Sequence, residues 1–184
     1  MERLIESLRS APVVDMGAYN YFVHPVTDCI PLVEPALLRE ITDAFRTHLE
    51  LDNIEKIFTA ESMGIHHATA LSLETDIPFV AARKRSYGFD GEVAVHQMTG
   101  YDDGELYVNG IEPDDQLLLL DDVFSTGGTM EAMYDAVTEI GANPVAAAVV
   151  IRRRSDEARS LPIDVVSLVE VDIIDGSVHV TPTV

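Results

Sequence analysis

The sequence predicts one α/β domain whose centre is a mostly parallel sheet flanked by helices, and three observations carry that expectation. Leu117–Leu120 is an unbroken apolar run of strand length, the pattern of a parallel strand buried on both faces. Segments with strand and helix periods alternate from Glu34 onward, which implies crossovers between parallel neighbours. Finally, 184 residues of 47% apolar composition suffice for one packed core, and no linker, internal repeat or low-complexity tract divides them. The chain, 1–184, therefore reads as a single domain.

Taken in order, Glu2–Arg9 places Leu4, Ile5 and Leu8 at helical spacing, and Ala11-Pro12 ends that helix. Val13–Pro35 holds three prolines and several aromatics with no clear period, so it reads as irregular or strand-and-turn structure. Pro35 opens a helix with Leu37, Leu38, Ile41, Phe45 and Leu49 on one stripe. A strand over Ile54–Thr59, a helix over Gly64–Leu73 and a strand over Pro78–Ala82 follow. Glu92–His96 alternates and pairs with Leu106–Val108 as a hairpin. The leucine strand is expected to end at Asp121-Asp122, before a helix over Met130–Ile140 stopped by Gly141. Pro144–Ile151 and Asp164–Val169 are further core strands, and Val171–Val180 is a terminal hairpin turning at Asp175-Gly176.

The chemistry concentrates after the leucine strand. Ser125, Thr126, Gly127, Gly128 and Thr129 lie where a helix begins, so backbone N–H groups and the helix dipole favour an anion, the glycines permit close approach, and the hydroxyls add donors. Asp121 and Asp122, when ionised, only accept hydrogen bonds or hold a cation; they repel a phosphate but suit sugar hydroxyls beside it. A ligand with a phosphate at one end and a ribose diol in the middle satisfies both halves. No Lys follows the glycines, as a nucleoside-triphosphate loop requires, and no dinucleotide-type glycine triplet is present. Adjacent His66 and His67 point about 100° apart on a helix, which disfavours a shared metal.

The run Leu117–Thr129 resembles the ribose-5-phosphate-binding signature of the type I phosphoribosyltransferases, with every class position filled. The resemblance extends to the turn Thr59–Gly64, similar to the family's pyrophosphate loop, to the basic cluster Arg83-Lys84-Arg85, and to the glycine-containing segment Ser86–Tyr101, which resembles the flap that closes over these sites. It implies the family fold with a flexible flap, a core of about 35–151 and a small hood from about 10–34 plus 152–184. It also implies Mg²⁺ held mainly by the co-substrate 5-phosphoribosyl 1-diphosphate, with Asp121 and Asp122 contributing weakly or indirectly. Asp121 and Asp122 are the implied catalytic pair, and Ser125–Thr129 hold the 5′-phosphate. Glu61, Ser62, Met63, Arg83, Lys84 and Arg85 hold pyrophosphate, while Ile30, Val123, Arg152 and Arg153 face the base. A homodimer is implied as well.

The likeness is greatest to purine enzymes of the xanthine and archaeal hypoxanthine/guanine types, and it implies purine salvage. Two departures bear on the base. Mammalian-type hypoxanthine/guanine enzymes place an acid where this chain has Ser125, and Ile30 stands where the xanthine type has a hood asparagine. Arg153 keeps a cation able to donate to an oxopurine, whereas adenine offers an amino donor there. An adenine enzyme, or a regulator that binds the diphosphate without turnover, shares the loops; no helix-turn-helix extension or basic face accompanies them.

A formal charge of −20, from 32 acids against 12 bases, disfavours a nucleic-acid partner. The absence of a long apolar run and of a basic-then-apolar opening disfavours a membrane or secreted protein, and the single cysteine, Cys29, agrees with a reducing cytoplasm. Acid-rich, lysine-poor surfaces suit a salt-loaded cytoplasm, where screening relieves self-repulsion, so a halophile is the expected source. Thermal melting against KCl is expected to show the midpoint rising toward molar salt; a flat or falling curve would refute the halophilic reading.

Overall fold

A computed structural model describes residues 1–17, 19–98, 103–155 and 158–184. The elements run α1 Glu2–Arg9, β1 Val13–Asp15, β2 Asn20–Phe22, α2 Pro25–Asp28, α3 Pro35–His48, β3 Lys56–Ala60, α4 Gly64–Thr75 and β4 Phe79–Ala82. They continue β5 Val93–Met98, β6 Asp103–Val108, β7 Gln116–Phe124, α5 Gly128–Ile140, β8 Asn143–Arg153, β9 Val165–Ile174 and β10 Ser177–Pro182. The six-stranded sheet has the order β10-β9-β8-β7-β3-β4 and is parallel except for β10. The α/β class read from sequence is therefore the observed one, with helices on both faces.

The winding direction reverses beside β3. The chain leaves β3 through α4 to β4 on one side, then enters β7 on the other and continues outward through α5 to β8. Right-handed crossovers in opposite directions put their helices on opposite faces, and the core divides accordingly. One cluster joins Leu4 and Leu8 of α1, Ile41 and Phe45 of α3, and Ala68 and Leu71 of α4 to Leu118 and Leu120. The other joins Met130, Met133 and Val137 of α5, with Val95, Leu106 and Val108 of the β5–β6 hairpin, to Leu117 and Leu119. The four leucines are fully buried and alternate between the two clusters, as a strand covered on both faces requires.

Several elements differ from the sequence expectation. The first strand of the sheet begins at Lys56, because Ile54 is spent in a turn whose N–H donates to Leu51 O (3.0 Å). Val13–Pro35 holds the expected strand-and-turn structure as a small hairpin, Val13↔Phe22 to Asp15↔Asn20, and adds one helical turn capped by His24. The predicted break between a core strand and a terminal hairpin near Glu170 is absent: β9 runs unbroken, pairing parallel with β8 along one edge and antiparallel with β10 along the other. Much of the 152–184 segment expected in a hood thus belongs to the central sheet, and α1 packs on β10.

Buried histidines stitch the N-terminal unit to the sheet layer. His67 is 1% exposed; its Nε2 lies 3.4 Å from Val26 O, and its Nδ1 has no hydrogen-bond partner. Burial, with neighbouring His66 second, pulls its pKa down to about 3, and burial holds His24 at about 4 despite Asp28. A depressed histidine pKa means that the unfolded chain takes up protons first, so this stabilisation is present above about pH 6.5 and is lost on acidification. Chemical denaturation of wild type and His67→Leu at pH 7.5 and pH 5 isolates the contribution. Wild type should lose on the order of 2 kcal/mol more than the variant over that interval.

Candidate active site

The site assembles at the C-terminal ends of β3, β4, β7 and β8, around the reversal point, where open α/β sheets form their crevice. A cavity of about 1060 Å³ lies at the opposite ends, lined by Glu55, Gln116, Val145 and Val166 among others.

β7 does not stop at the acidic pair. Pairing with β8 continues through Asp121↔Val149 and Val123↔Ile151 to Phe124↔Arg152, so both aspartates lie inside the strand. The chain then turns through Ser125-Thr126, and Gly127 caps α5 at φ +85° with no side-chain cap in place. Gly127 is required twice: by that φ, and because a Cβ would meet the Phe124 ring at 2.7 Å. Ser125–Thr129 thus present backbone N–H groups at a helix N-terminus as the sequence predicts.

Asp121 and Asp122 are each 7% exposed, and the Asp122 N–H donates to Asp121 Oδ1 at 3.0 Å. Burial raises both carboxyl pKa values, and the neighbouring carboxylate raises that of Asp122 further. Gly64, opening α4, allows the crowding: a Cβ there would lie 2.8 Å from Asp121 Oδ1 and 2.0 Å from Thr59 Oγ1. Because the folded-state pKa values are raised, ionising the pair costs stability above them, and that cost vanishes as pH falls and the carboxyls protonate. Asp122→Asn should therefore raise the melting temperature at pH 8 and leave it nearly unchanged at pH 4.

The pyrophosphate candidates come together in part. The Glu61 N–H donates to Ala82 O (2.9 Å), and the Lys84 N–H donates to Glu61 Oε2 (3.2 Å), which ties the turn 61–63 to the end of β4. Arg83 Nε lies 2.9 Å from Glu61 Oε2, but its N–H is not aimed at it, so this is a charge contact rather than an aligned hydrogen bond. Arg83 also exchanges backbone hydrogen bonds with Tyr107. Ser62 and Lys84 are exposed and Met63 is half-buried. Arg85 stands apart, its guanidinium 5.9 Å from the Tyr87 ring centroid.

The hairpin expected as a flap pairs from Val93↔Val108 to Met98↔Asp103, its base fixed in the α5 core; its tip, 99–102, lies outside the described residues. Sequence reasoning missed the clasp at its root. The Glu92 carboxylate accepts from Ser86 Oγ, from the Tyr87 and Gly88 N–H groups (3.1 and 3.3 Å) and from Asn109 Nδ2 (2.8 Å), and these donors hold its pKa at about 2.

The base candidates divide. Arg153 donates to Asn20 O (2.7 Å) with its guanidinium 5.9 Å from the Tyr19 ring, so it meets the N-terminal hairpin. Arg152, next along the strand, instead lies 4.7 Å from the Phe124 ring and donates to Val165 O (3.0 Å), because successive strand residues point to opposite faces. Val123 is half-buried against the α1–α3–α4 core. Ile30 is exposed beyond α2, before the cis Ile30-Pro31 bond. Tyr21 was not anticipated. Its hydroxyl donates to Asp28 (2.8 Å), and burial, the Asp28 bond and, more weakly, the Asp122 charge all raise its pKa. Arg159 was missed too: its N–H donates to Thr126 O (2.9 Å) and its guanidinium pairs with Glu131.

No three His, Cys, Asp or Glu side chains among the described residues converge as a metal cage. Two adjacent carboxylates fit a Mg²⁺ whose other oxygens come from phosphate groups and water.

Comparison with known proteins agrees with this geometry. A model of the phosphoribosyl transferase domain matches residues 32–182. The hypoxanthine/guanine phosphoribosyltransferase of Methanocaldococcus infernus is 50% identical over 179 residues, covering 96% of this chain and 98% of the relative. An HGPRTase-like protein of Halorubrum lacusprofundi is 48% identical over 180 residues, covering 97% and 95%. Among solved structures, adenine phosphoribosyltransferase from Thermoanaerobacter pseudethanolicus aligns with a TM-score of 0.77 at 18% identity, covering 92% of this chain and 99% of that one. The enzyme of the same name from Rhodothermus marinus aligns at 0.74 and 26%, with the same coverage. With an acidic pair and a glycine-bearing turn into a helix N-terminus on one strand end, and the family model spanning most of its length, the chain belongs to the phosphoribosyltransferase family.

Proposed function

We propose that the protein is a purine phosphoribosyltransferase of salvage, with hypoxanthine and guanine as the favoured bases and xanthine next. The observation that carries this is the strand end Asp121–Thr129, where two carboxylates and an anion-binding helix N-terminus adjoin on one stretch of backbone. That pairing suits a phosphorylated ribose, and relatives near 50% identity over almost the whole chain are named for hypoxanthine and guanine.

In the reaction, the bond from ribose C1 to the diphosphate oxygen breaks, a bond from C1 to a purine ring nitrogen forms, and the proton of that nitrogen passes to solvent water. Pyrophosphate carries away the bonding electrons. Ser125–Thr129 hold the 5′-phosphate through backbone N–H groups and hydroxyls. Asp121 and Asp122 accept from the 2′- and 3′-hydroxyls and stand near the positive charge that develops on the sugar, where a preorganised carboxylate is most effective. The turn Glu61–Met63, with Arg83 and Lys84 tied to it and Arg85 farther along the same cluster, would hold the pyrophosphate and its Mg²⁺, and the ion would supply charge neutralisation of the leaving group. Arg153, already on the N-terminal hairpin, is the donor toward a purine oxygen. Arg152 lies against Phe124, at the end of the strand that leads into the 5′-phosphate loop.

A homodimer is part of this reading, supported by exposed Phe79 on the edge strand β4 and by the exposed Leu73, Tyr87 and Phe89. A cytoplasmic setting is part of it too, as is a salt-rich one given the net charge of −20. Among the described residues no helix is long and apolar enough to cross a membrane.

Release of pyrophosphate from 5-phosphoribosyl 1-diphosphate, measured with hypoxanthine, guanine, xanthine and adenine in turn, tests the proposal. Turnover with the first two is expected. Activity with adenine alone would reassign the base, and binding of the diphosphate without turnover of any base would make the protein a sensor. Asp122→Asn should lower kcat/KM by at least about a hundredfold while remaining folded.

A further inference from the structure

Resting on the phosphoribosyltransferase reading, we infer that Arg159 is a binding residue of the 5′-phosphate site, held beside the empty loop by Glu131 and transferred to the phosphate when it arrives. No cation lies within Ser125–Thr129, and Arg152 is committed to Phe124 and Val165. Arg159 is far along the chain, in the β8–β9 crossover, yet its backbone N–H donates to Thr126 O at 2.9 Å. Its guanidinium thereby stands at the N-terminus of α5, the positive end of the helix dipole, where a cation is unfavourable by itself.

Glu131, in the first turn of α5, offsets that cost by pairing with the guanidinium. Both side chains are about one-third exposed, at 36% and 35%, so the pair is open enough to exchange partners. A phosphate seated on the Ser125–Thr129 amides brings more negative charge than one carboxylate, and its oxygens suit a guanidinium fork, so it outcompetes Glu131. Arg83 offers the same arrangement at the other anion site, where its nearest anion is Glu61 of the neighbouring turn. A chain this acidic keeps its phosphate-facing cations from pairing elsewhere by storing them on a carboxylate at the site.

Titration with ribose 5-phosphate tests the inference, with inorganic pyrophosphate as the control ligand and a melting curve for each variant. Arg159→Ala should weaken ribose 5-phosphate binding by about tenfold or more, the worth of one charge-assisted hydrogen bond, and leave pyrophosphate binding within about twofold. Glu131→Gln removes the competing anion and should bind ribose 5-phosphate at least as tightly as wild type. A brace that merely shapes the loop predicts the reverse for Glu131→Gln. Parallel weakening in both variants, or unchanged binding in Arg159→Ala, would therefore overturn the inference. Failure of the wild-type protein to bind ribose 5-phosphate would overturn the phosphoribosyltransferase reading with it. Tight wild-type binding that Arg159→Ala does not alter would overturn only the part assigned to Arg159.

Discussion

Two carboxylates buried side by side at the end of a central strand are the constraint around which the rest of the molecule is arranged. Asp121 and Asp122 oppose each other electrostatically and lose most of their water, so neither would persist there for the sake of stability. Their surroundings are correspondingly exact in shape. Gly64 lets the α4 N-terminus lie against Asp121 and Thr59, Gly127 lets the Ser125–Thr129 turn fold onto Phe124, and β8 continues its ladder past both acids. The glycines serve less as flexible joints than as places where no side chain fits.

The winding of the sheet then decides what gathers around that pair. Because the order reverses beside β3, the turn after β3 and the loop after β7 are neighbours, and their helices depart to opposite faces. The crevice between them receives the cationic end of β4 and the N-terminal hairpin from either side. The flanking contacts are polar and cross between elements: Glu61 to Lys84 and Arg83, Glu92 to the turn 86–88, Arg153 to Asn20, and Arg159 to Thr126 and Glu131. Acidic side chains supply several of these ties, one use for so many carboxylates besides solvation.

What the sequence made legible follows from the range of each signal. The leucine run, the phosphate loop and most element bounds depend on neighbours within a few residues, and periodicity and turn chemistry report those directly. Strand ends were less legible: the aspartates look like a terminus because acids are rare inside parallel strands, and only the β8 partner shows that pairing continues to Phe124. The division of Arg152 from Arg153 follows from strand alternation once both are known to lie within β8, whereas a run of three arginines gives no hint of it. Tyr21 and Arg159 act through partners in other elements, and Glu92 gathers its donors from an irregular turn and from Asn109, so no periodic pattern marks them. β9 was split in the reading because its middle, Glu170, interrupts an apolar run, although the backbone there pairs on both sides.

The seating of α1 on β10 carries a further consequence. Leu4 and Leu8 share one core with Val178 and Val180, so the opening helix and the final strand, drawn from opposite ends of the sequence, complete each other's burial. Neither is buried by its neighbours in sequence, and closures over so long a separation slow folding. The finished molecule resembles a ring whose clasp is hydrophobic: a change at either terminus is felt at the other, and fraying that elsewhere would stay at a chain end would here reach the layer that supports the site.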